Sequence, residues 1–295
     1  FSPGSRNAPF ALSFDAHPEI QTHVIHDERA AAFYALGMSQ TLEQTVALCC
    51  TSGSAVLNYY PAVSEAFYRE QRLLILSADR PKRLINKGHG QTIMQDQVFG
   101  KHVKSSLSVE DSNTNTNYES VTRFFEEMYM KPYRPMHLNI HLEEPLYGVS
   151  QIEFQENTVG KQVKADSEVF ALTKEEVQNF QNKKILVLCG QGNKDLVLKR
   201  VLVDFNKNSN VVVLNENTSG INDGSFVNCI DRTLNSINSK NEKRFVPDIL
   251  ISVGGAIVSK RIKSFFIKNP PKQHIAINRS NIGIDLFLRL DKHYE

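Results

Sequence analysis

Residues 45–50 read TVALCC and residues 73–77 read LLILS. Both blocks are short, apolar and free of polar alternation, the pattern of strands buried on both faces. The stretch between them, Ser54 to Arg69, carries apolar residues at helical spacing. Together the three segments read as one strand-helix-strand unit of a parallel sheet. Upstream, His23 to Ile25 reads as a short strand leading into a helix from Asp27 to Gln40, with acidic Asp27 and Glu28 where the helix dipole favours them. Downstream, the polar, glycine-bearing stretch Asp79 to Gln97 reads as a functional loop. A helix at Tyr118 to Met130 and a strand at Met136 to Ile140 (MHLNI) complete a first domain.

After a polar interval the rhythm restarts with Ile185 to Cys189 (ILVLC), a helix at Asp195 to Asn206, and Val211 to Leu214 (VVVL). Ile249 to Val253 (ILISV), a helix at Lys260 to Lys268 and a strand at His274 to Ile277 follow. The fold class is α/β, with two domains, each a mostly parallel sheet flanked by helices. They span 1–155 and 183–295, joined by a linker over 156–182 that contains one weak amphipathic patch at Thr173 to Phe180. No fixed-period repeat is present.

The 295 residues are 41% apolar and 22% charged, as in a globular protein. Lys+Arg 34 against Asp+Glu 32 gives a net charge of +2 with no basic block, which argues against a nucleic-acid partner. No apolar run approaches the roughly 20 residues needed to cross a bilayer, and the opening FSPGSR lacks the pattern of a signal peptide. A cytoplasmic enzyme or subunit without membrane association is expected. The chain begins with Phe1 on turn chemistry and reads as part of something longer. Cys49, Cys50, Cys189 and Cys229 fit neither a zinc nor a disulfide spacing. The vicinal pair reads as core, because strand neighbours point to opposite faces.

Gly190-Gln191-Gly192 follows a strand and precedes a helix, as in a dinucleotide fingerprint, but Asp195 stands where the third glycine belongs. Such glycines also serve close packing alone. Asp223-Gly224 reads as a turn. His23 and His26 would face opposite sides of a strand and cannot grip one ion together. No metal ligands are assigned. Glu28 stands where a strand ends and a helix begins, at the edge where open α/β sheets bind ligands. Taken alone it reads first as a helix-start acid, although Ala30, Ala31 and Ala32 behind it would let a flat group approach. Three loops fall at equivalent strand ends: residues 2–6 (SPGSR), 51–54 (TSGS) and 78–81 (ADRP). They line one edge with Ser5, Arg6, Ser52, Ser54 and Arg80 around Glu28, with Gln91 in the loop beyond. Arginine forks bind carboxylates, so an anionic small molecule is the expected ligand. Lys260-Arg261 after Gly254-Gly255 adds a cationic pair whose plainer reading is a solvated helix start.

These motifs form an ordered set. SPGSR at 2–6, HDER at 26–29, TSGSAVLNYYPAVSEA at 51–66, ADRP at 78–81, GHGQTI at 88–93 and EEPLYG at 143–148 resemble the MenD family of thiamin-diphosphate-dependent synthases of menaquinone biosynthesis. The second half matches that family weakly, chiefly at 251–261. The resemblance implies a pyrimidine-binding domain whose N-terminal helix and strand are missing, then a Rossmann-like central domain. The family's third, diphosphate-binding domain, with the Gly-Asp-Gly...Asn motif that holds Mg²⁺, is by that resemblance expected to lie outside these 295 residues.

By the same resemblance, Glu28 is the catalytic glutamate that hydrogen-bonds the cofactor pyrimidine N1′. Pro3 and Ser54 lie beside the cofactor, while Ser5, Arg6, Arg80, Gln91, Lys260 and Arg261 bind substrate. The implied cofactors are thiamin diphosphate and Mg²⁺. The implied reaction decarboxylates 2-oxoglutarate and adds the resulting carbanion to isochorismate, in a homo-oligomer whose active site is shared between subunits; this chain alone is expected to be inactive. Ser219-Gly220 departs from the family's more usual Ser-Asn. Two other readings stand: a non-catalytic binding or regulatory protein that keeps the fold, and another thiamin-dependent 2-oxoacid decarboxylase.

Overall fold

The computed structural model describes residues 1–110, 114–143, 146, 178–278 and 285–294. The chain divides into two compact units, Phe1–Asp166 and Ser167–Glu295. Most of the expected linker over 156–182, including most of the patch at Thr173 to Phe180, lies outside the described residues, as does most of EEPLYG.

The first unit holds α1 (Ala8–Ala16), α2 (Glu28–Leu42), β1 (Val46–Cys50), a 3₁₀ segment (Ser54–Tyr59) running into α3 (Tyr60–Tyr68), β2 (Leu73–Asp79), β3 (Ser105–Glu110), α4 (Thr114–Met128) and β4 (Met136–His141). The strands form a parallel sheet in the order β1-β2-β4-β3. β2 is buried along its length. Its alternate residues feed two cores: Leu73 and Ile75 pack with Cys50, Val56, Tyr59 and Phe99, whereas Leu74 and Leu76 pack with Cys49, Phe124 and Met136. The vicinal cysteines therefore serve opposite faces, and burial pushes the Cys49 thiol up to about 11. Neither is placed for redox chemistry.

Several sequence expectations shift. His23 to Ile25 is extended but is no sheet strand: Phe1 occupies the neighbouring place, its ammonium donating to His23 O at 2.5 Å while Ile25 N–H donates to Phe1 O at 3.0 Å. That ladder stops at once, because Pro3 has no N–H to extend it. The helix read over Ser54 to Arg69 divides at Pro61, whose ring excludes the preceding turn from an α-helix and so opens α3 instead. β3 lies at the sheet edge, and its run of serines hid it from an apolar pattern search. Ala31 and Ala32 are buried in the core under α2 and bring the helix close to the sheet, so they do not open the site to a flat group.

The second unit holds β5 (Ile185–Cys189), α5 (Leu196–Phe205), β6 (Val211–Asn215), α6 (Ile230–Asn235), β7 (Ile249–Val253), α7 (Lys260–Lys268), β8 (Gln273–Ile277) and β9 (Lys292–Tyr294). They form a five-stranded parallel sheet, β6-β5-β7-β8-β9. Apolar cores cover both faces, one around Val187, Leu202 and Val213, the other around Leu188, Leu250, Ile262 and Phe266. The two-domain α/β reading is thus the architecture observed. Among the described residues, no helix is long and apolar enough to cross a membrane.

Candidate functional site

The carboxyl ends of β1 and β2 supply most of the site. Beyond β1 the chain turns through Thr51 to Ser54 with Gly53 at φ +87°, where only glycine is at ease, and a Cβ there would sit 3.2 Å from the Gln91 Cα. The SPGSR loop folds down on the same turn so closely that a Cβ on Gly4 would lie 2.4 Å from the Thr51 Cβ. Between the turn at residues 51–54, the loop at residues 91–93 and the start of α2 lies a cavity of about 510 Å³ lined by Glu28, residues 51–55, Asn58, Gln91, Thr92 and Ile93.

Glu28 is half-buried as the first residue of α2, but it is not the cap. Asp27 performs that role, accepting from Ala30 N–H at 2.7 Å, and so leaves the Glu28 carboxylate for the cavity. Burial pushes the Cys50 thiol well up, with Cys49 and the Glu28 carboxylate adding to it. The Ser52 hydroxyl, in the cavity wall, is buried with no hydrogen-bond partner among the described residues. An orphan hydroxyl and a glutamate lining one cavity are the kind of polar groups that a bound ring with nitrogen donors and acceptors would satisfy.

The remaining expected residues are divided between the two units. Ser54 and Gln91 line it. Arg80 is fastened to its rim, Nε donating to Gly90 O at 2.7 Å and an η-nitrogen donating to Gln91 Oε1 at 3.4 Å. Arg6 is buried and donates to Leu142 O at 2.9 Å, just past the end of β4. Pro3 and Ser5 are exposed in the SPGSR loop. Lys260 and Arg261 belong to the second unit, where they open α7 behind the cap Ser259, and Arg261 donates to Asn235 Oδ1 at 2.8 Å. Glu216 steadies that helix start by accepting from Val258 N–H at 3.1 Å and Ser259 N–H at 2.8 Å.

Behind the cavity lies a buried polar network that sequence reading missed. Gln95 Oε1 accepts from Gly53 N–H at 2.7 Å, and its Nε2 donates to Ala78 O at 3.2 Å and Asn139 Oδ1 at 2.9 Å. Ser77 Oγ donates to the same Asn139 oxygen at 2.7 Å and meets His137 Nε2 at 2.7 Å. Asn139 Nδ2 in turn donates to Asp79 Oδ2 at 3.0 Å. Burial raises Asp79 against the pull of its bonds from Asn139 and Arg80 N–H, and burial lowers His137 to about 4.

The rival features resolve into structural roles. A Cβ on Gly190 would lie 2.4 Å from Gly255 O, and one on Gly192 would lie 3.0 Å from Ser219 O, so these glycines permit loop-on-loop packing. Asp223 is taken up by the Ser225 N–H and hydroxyl and by Lys199, as a turn aspartate is. Among the described residues, no His, Cys, Asp and Glu group could hold a metal ion.

Comparison with known proteins gives this geometry a family setting. Residues 1–99 match the family of thiamine pyrophosphate enzymes through its N-terminal TPP binding domain. Similar along nearly the whole chain are proteins named 2-succinyl-5-enolpyruvyl-6-hydroxy-3-cyclohexene-1-carboxylate synthase. That of Flavobacterium psychrophilum is 41% identical over 302 residues, covering 100% of this chain and 53% of the relative. That of Flavobacterium johnsoniae is 37% identical over 296 residues, 99% of this chain and 53% of the relative. That of Bacteroides fragilis is 30% identical over 301 residues, 97% and 52%. The chain spans about half the length of the curated relatives it matches.

Proposed function

Across the span it covers, the chain belongs to the 2-succinyl-5-enolpyruvyl-6-hydroxy-3-cyclohexene-1-carboxylate synthase family, and on that premise we propose that it supplies the pyrimidine-side half of such a synthase's active site. The reaction proposed joins a carbanion from decarboxylated 2-oxoglutarate to isochorismate. Thiamin diphosphate, when bound, supplies the carbanion chemistry of that decarboxylation. The residues of the first unit fit such a group: a carboxylate at the cavity rim, an orphan hydroxyl and a backbone turn in its wall, and apolar Ala55 and Ile93 for a ring to lie against. Glu28 would hold a proton at the ring nitrogen, with Ser54 and Pro3 beside it.

Both substrates are dicarboxylates, which suits Arg6 and Arg80 with the polar Ser5 and Gln91 in the first unit and, by themselves, Lys260 and Arg261 in the second. Arg80, drawn to the rim by Gly90 and Gln91, is pre-oriented for a carboxylate, so less of the binding energy is lost to ordering its side chain. Mg²⁺ and the diphosphate would be held by residues other than those of this chain, in a cytoplasmic homo-oligomer whose sites are shared between subunits.

The observation that carries this reading is the Glu28 carboxylate on the same cavity as the unpartnered Ser52 hydroxyl. The test is turnover by the full-length protein with thiamin diphosphate and Mg²⁺. Carbon dioxide release should require 2-oxoglutarate, and carbon–carbon bond formation should require isochorismate as well. Release from other 2-oxoacids at equal rate, or none from 2-oxoglutarate, would refute it.

A further inference from the structure

Gln95 lies in the loop between β2 and β3, is 1% exposed, and is not among the residues that line the cavity. Its amide joins the Gly53 turn to the paired strands β2 and β4. The oxygen takes the Gly53 N–H in the cavity wall, while the nitrogen is spent on Ala78 O at the end of β2 and on Asn139 Oδ1 in β4. An amide does both at any pH, because one end accepts and the other donates without a titrating proton. A Cβ on Gly53 would crowd the Gln91 Cα at 3.2 Å, and the Gln91 side chain receives Arg80. The spacing between the wall at residues 51–54 and the rim at residues 90–92 is thus set from behind by one side chain.

We propose that Gln95 is a positioning residue for the substrate-carboxylate rim of this site: it fixes the Gly53 turn against the sheet and thereby the placement of Gln91 and Arg80. This rests on the functional reading above. The ionisable groups around it are Asp79 on β2, Asp96 next to it in the chain, and His137 and His141 on β4, each reached through Asn139, Ser77 or Ser108.

Two variants of the full-length protein separate positioning from simple packing. In Gln95→Glu an ionised carboxylate keeps the acceptor for Gly53 but turns a second oxygen on Ala78 O and Asn139 Oδ1; when protonated, it donates again. Burial among acidic neighbours raises the pH at which this happens. Relative to wild type at each pH, KM for a carboxylate substrate should rise about tenfold near pH 8, with kcat within about threefold, and the defect should shrink toward pH 6. Gln95→Met, close in length and not titratable, should show a defect flat in pH. It should also speed amide hydrogen exchange about tenfold in peptides covering residues 51–55, with those of β2 and β5 unchanged.

A KM within twofold of wild type for Gln95→Glu at both pH values overturns the proposal. So does wild-type exchange at residues 51–55 in Gln95→Met, or a general rise in exchange with kcat and KM failing together. If wild type shows no synthase turnover, the functional reading falls, and the exchange result alone decides whether Gln95 holds the turn.

Discussion

Two parallel sheets in one chain end in glycine-bearing loops at their carboxyl edges, and the first is lined into a cavity that includes a glutamate. In the second unit the loops close on each other: Gln191 N–H donates to Ala256 O at 2.9 Å, Gly255 N–H to Gln191 O at 2.7 Å and Gly192 N–H to Thr218 O at 3.0 Å. These backbone amides are spent on neighbouring carbonyls, and those of Val258 and Ser259 on the Glu216 carboxylate. In the first unit the Gly53 amide is taken from behind by a buried side chain, which leaves the front of the turn to line the cavity. What separates a binding edge from a packed one is where the loop amides go, not how many glycines the loop contains.

The largest effect expected from this contrast concerns the glycines. Gly190→Ala would drive a methyl into Gly255 O and should cost about 3 kcal/mol of stability, with overpacked backbone unable to yield. Gly53→Ala should cost about 1–3 kcal/mol, since φ +87° is a glycine region, and should also weaken ligand binding as Gln91 is displaced. Chemical melts and ligand titration on the full-length protein check both. Unchanged affinity in a folded Gly53→Ala protein would break the comparison.

Next comes a pH effect. Each sheet buries a histidine bonded to a serine of the neighbouring strand, His137 with Ser77 at 2.7 Å and His274 with Ser252 at 2.9 Å. Burial lowers both, with Asp96 offsetting it at His137 and the two carboxylates Asp285 and Asp291 offsetting it at His274. With His137 at about 4 when folded and 6.5 otherwise, the unfolded chain binds the proton first. Stability is therefore lost as pH falls from 6.5 toward 4, by about 3 kcal/mol from this group. The stability advantage of wild type over His137→Gln should shrink by that amount across the window, and the corresponding change for His274→Gln should be smaller. Urea melts at several pH values decide it.

Arg80→Ala should raise KM for a carboxylate substrate roughly ten- to hundredfold, as expected for loss of a charged hydrogen bond of about 1.5–3 kcal/mol, with little change in melting. The smallest effect sharpens the contrast most finely. Ser52→Ala removes an orphan hydroxyl and should leave stability unchanged or higher while weakening the bound ligand by roughly 1 kcal/mol. Ser219→Ala in the second unit removes a hydroxyl already bonded to Asn215 Oδ1 and Ile221 O, and should only destabilise.

Much of this was legible in the sequence because the strands carry it. TVALCC, LLILS, ILVLC and ILISV are apolar on both faces, so their pattern alone announced parallel sheets and placed Ser54 and Arg80 just past strand ends, whereas Glu28 was placed by a strand at His23 to Ile25 that joins neither sheet. β3 was illegible because an edge strand tolerates serine on both faces. Gln95 was illegible for another reason. Its partners Gly53 and Asn139 lie 42 and 44 positions away, and nothing local marks a glutamine whose meaning is a contact made only in the folded sheet.

The central claim is that Glu28 serves the first unit's cavity as a proton-holding group and not merely as a helix-start acid. Turnover and thermal melting of Glu28→Gln in the full-length protein test it directly. Asp27 remains as the cap, so the fold should lose at most about 1 kcal/mol, while turnover should fall by roughly two to four orders of magnitude. A Glu28→Gln protein that melts slightly earlier yet turns over at the wild-type rate would contradict the account.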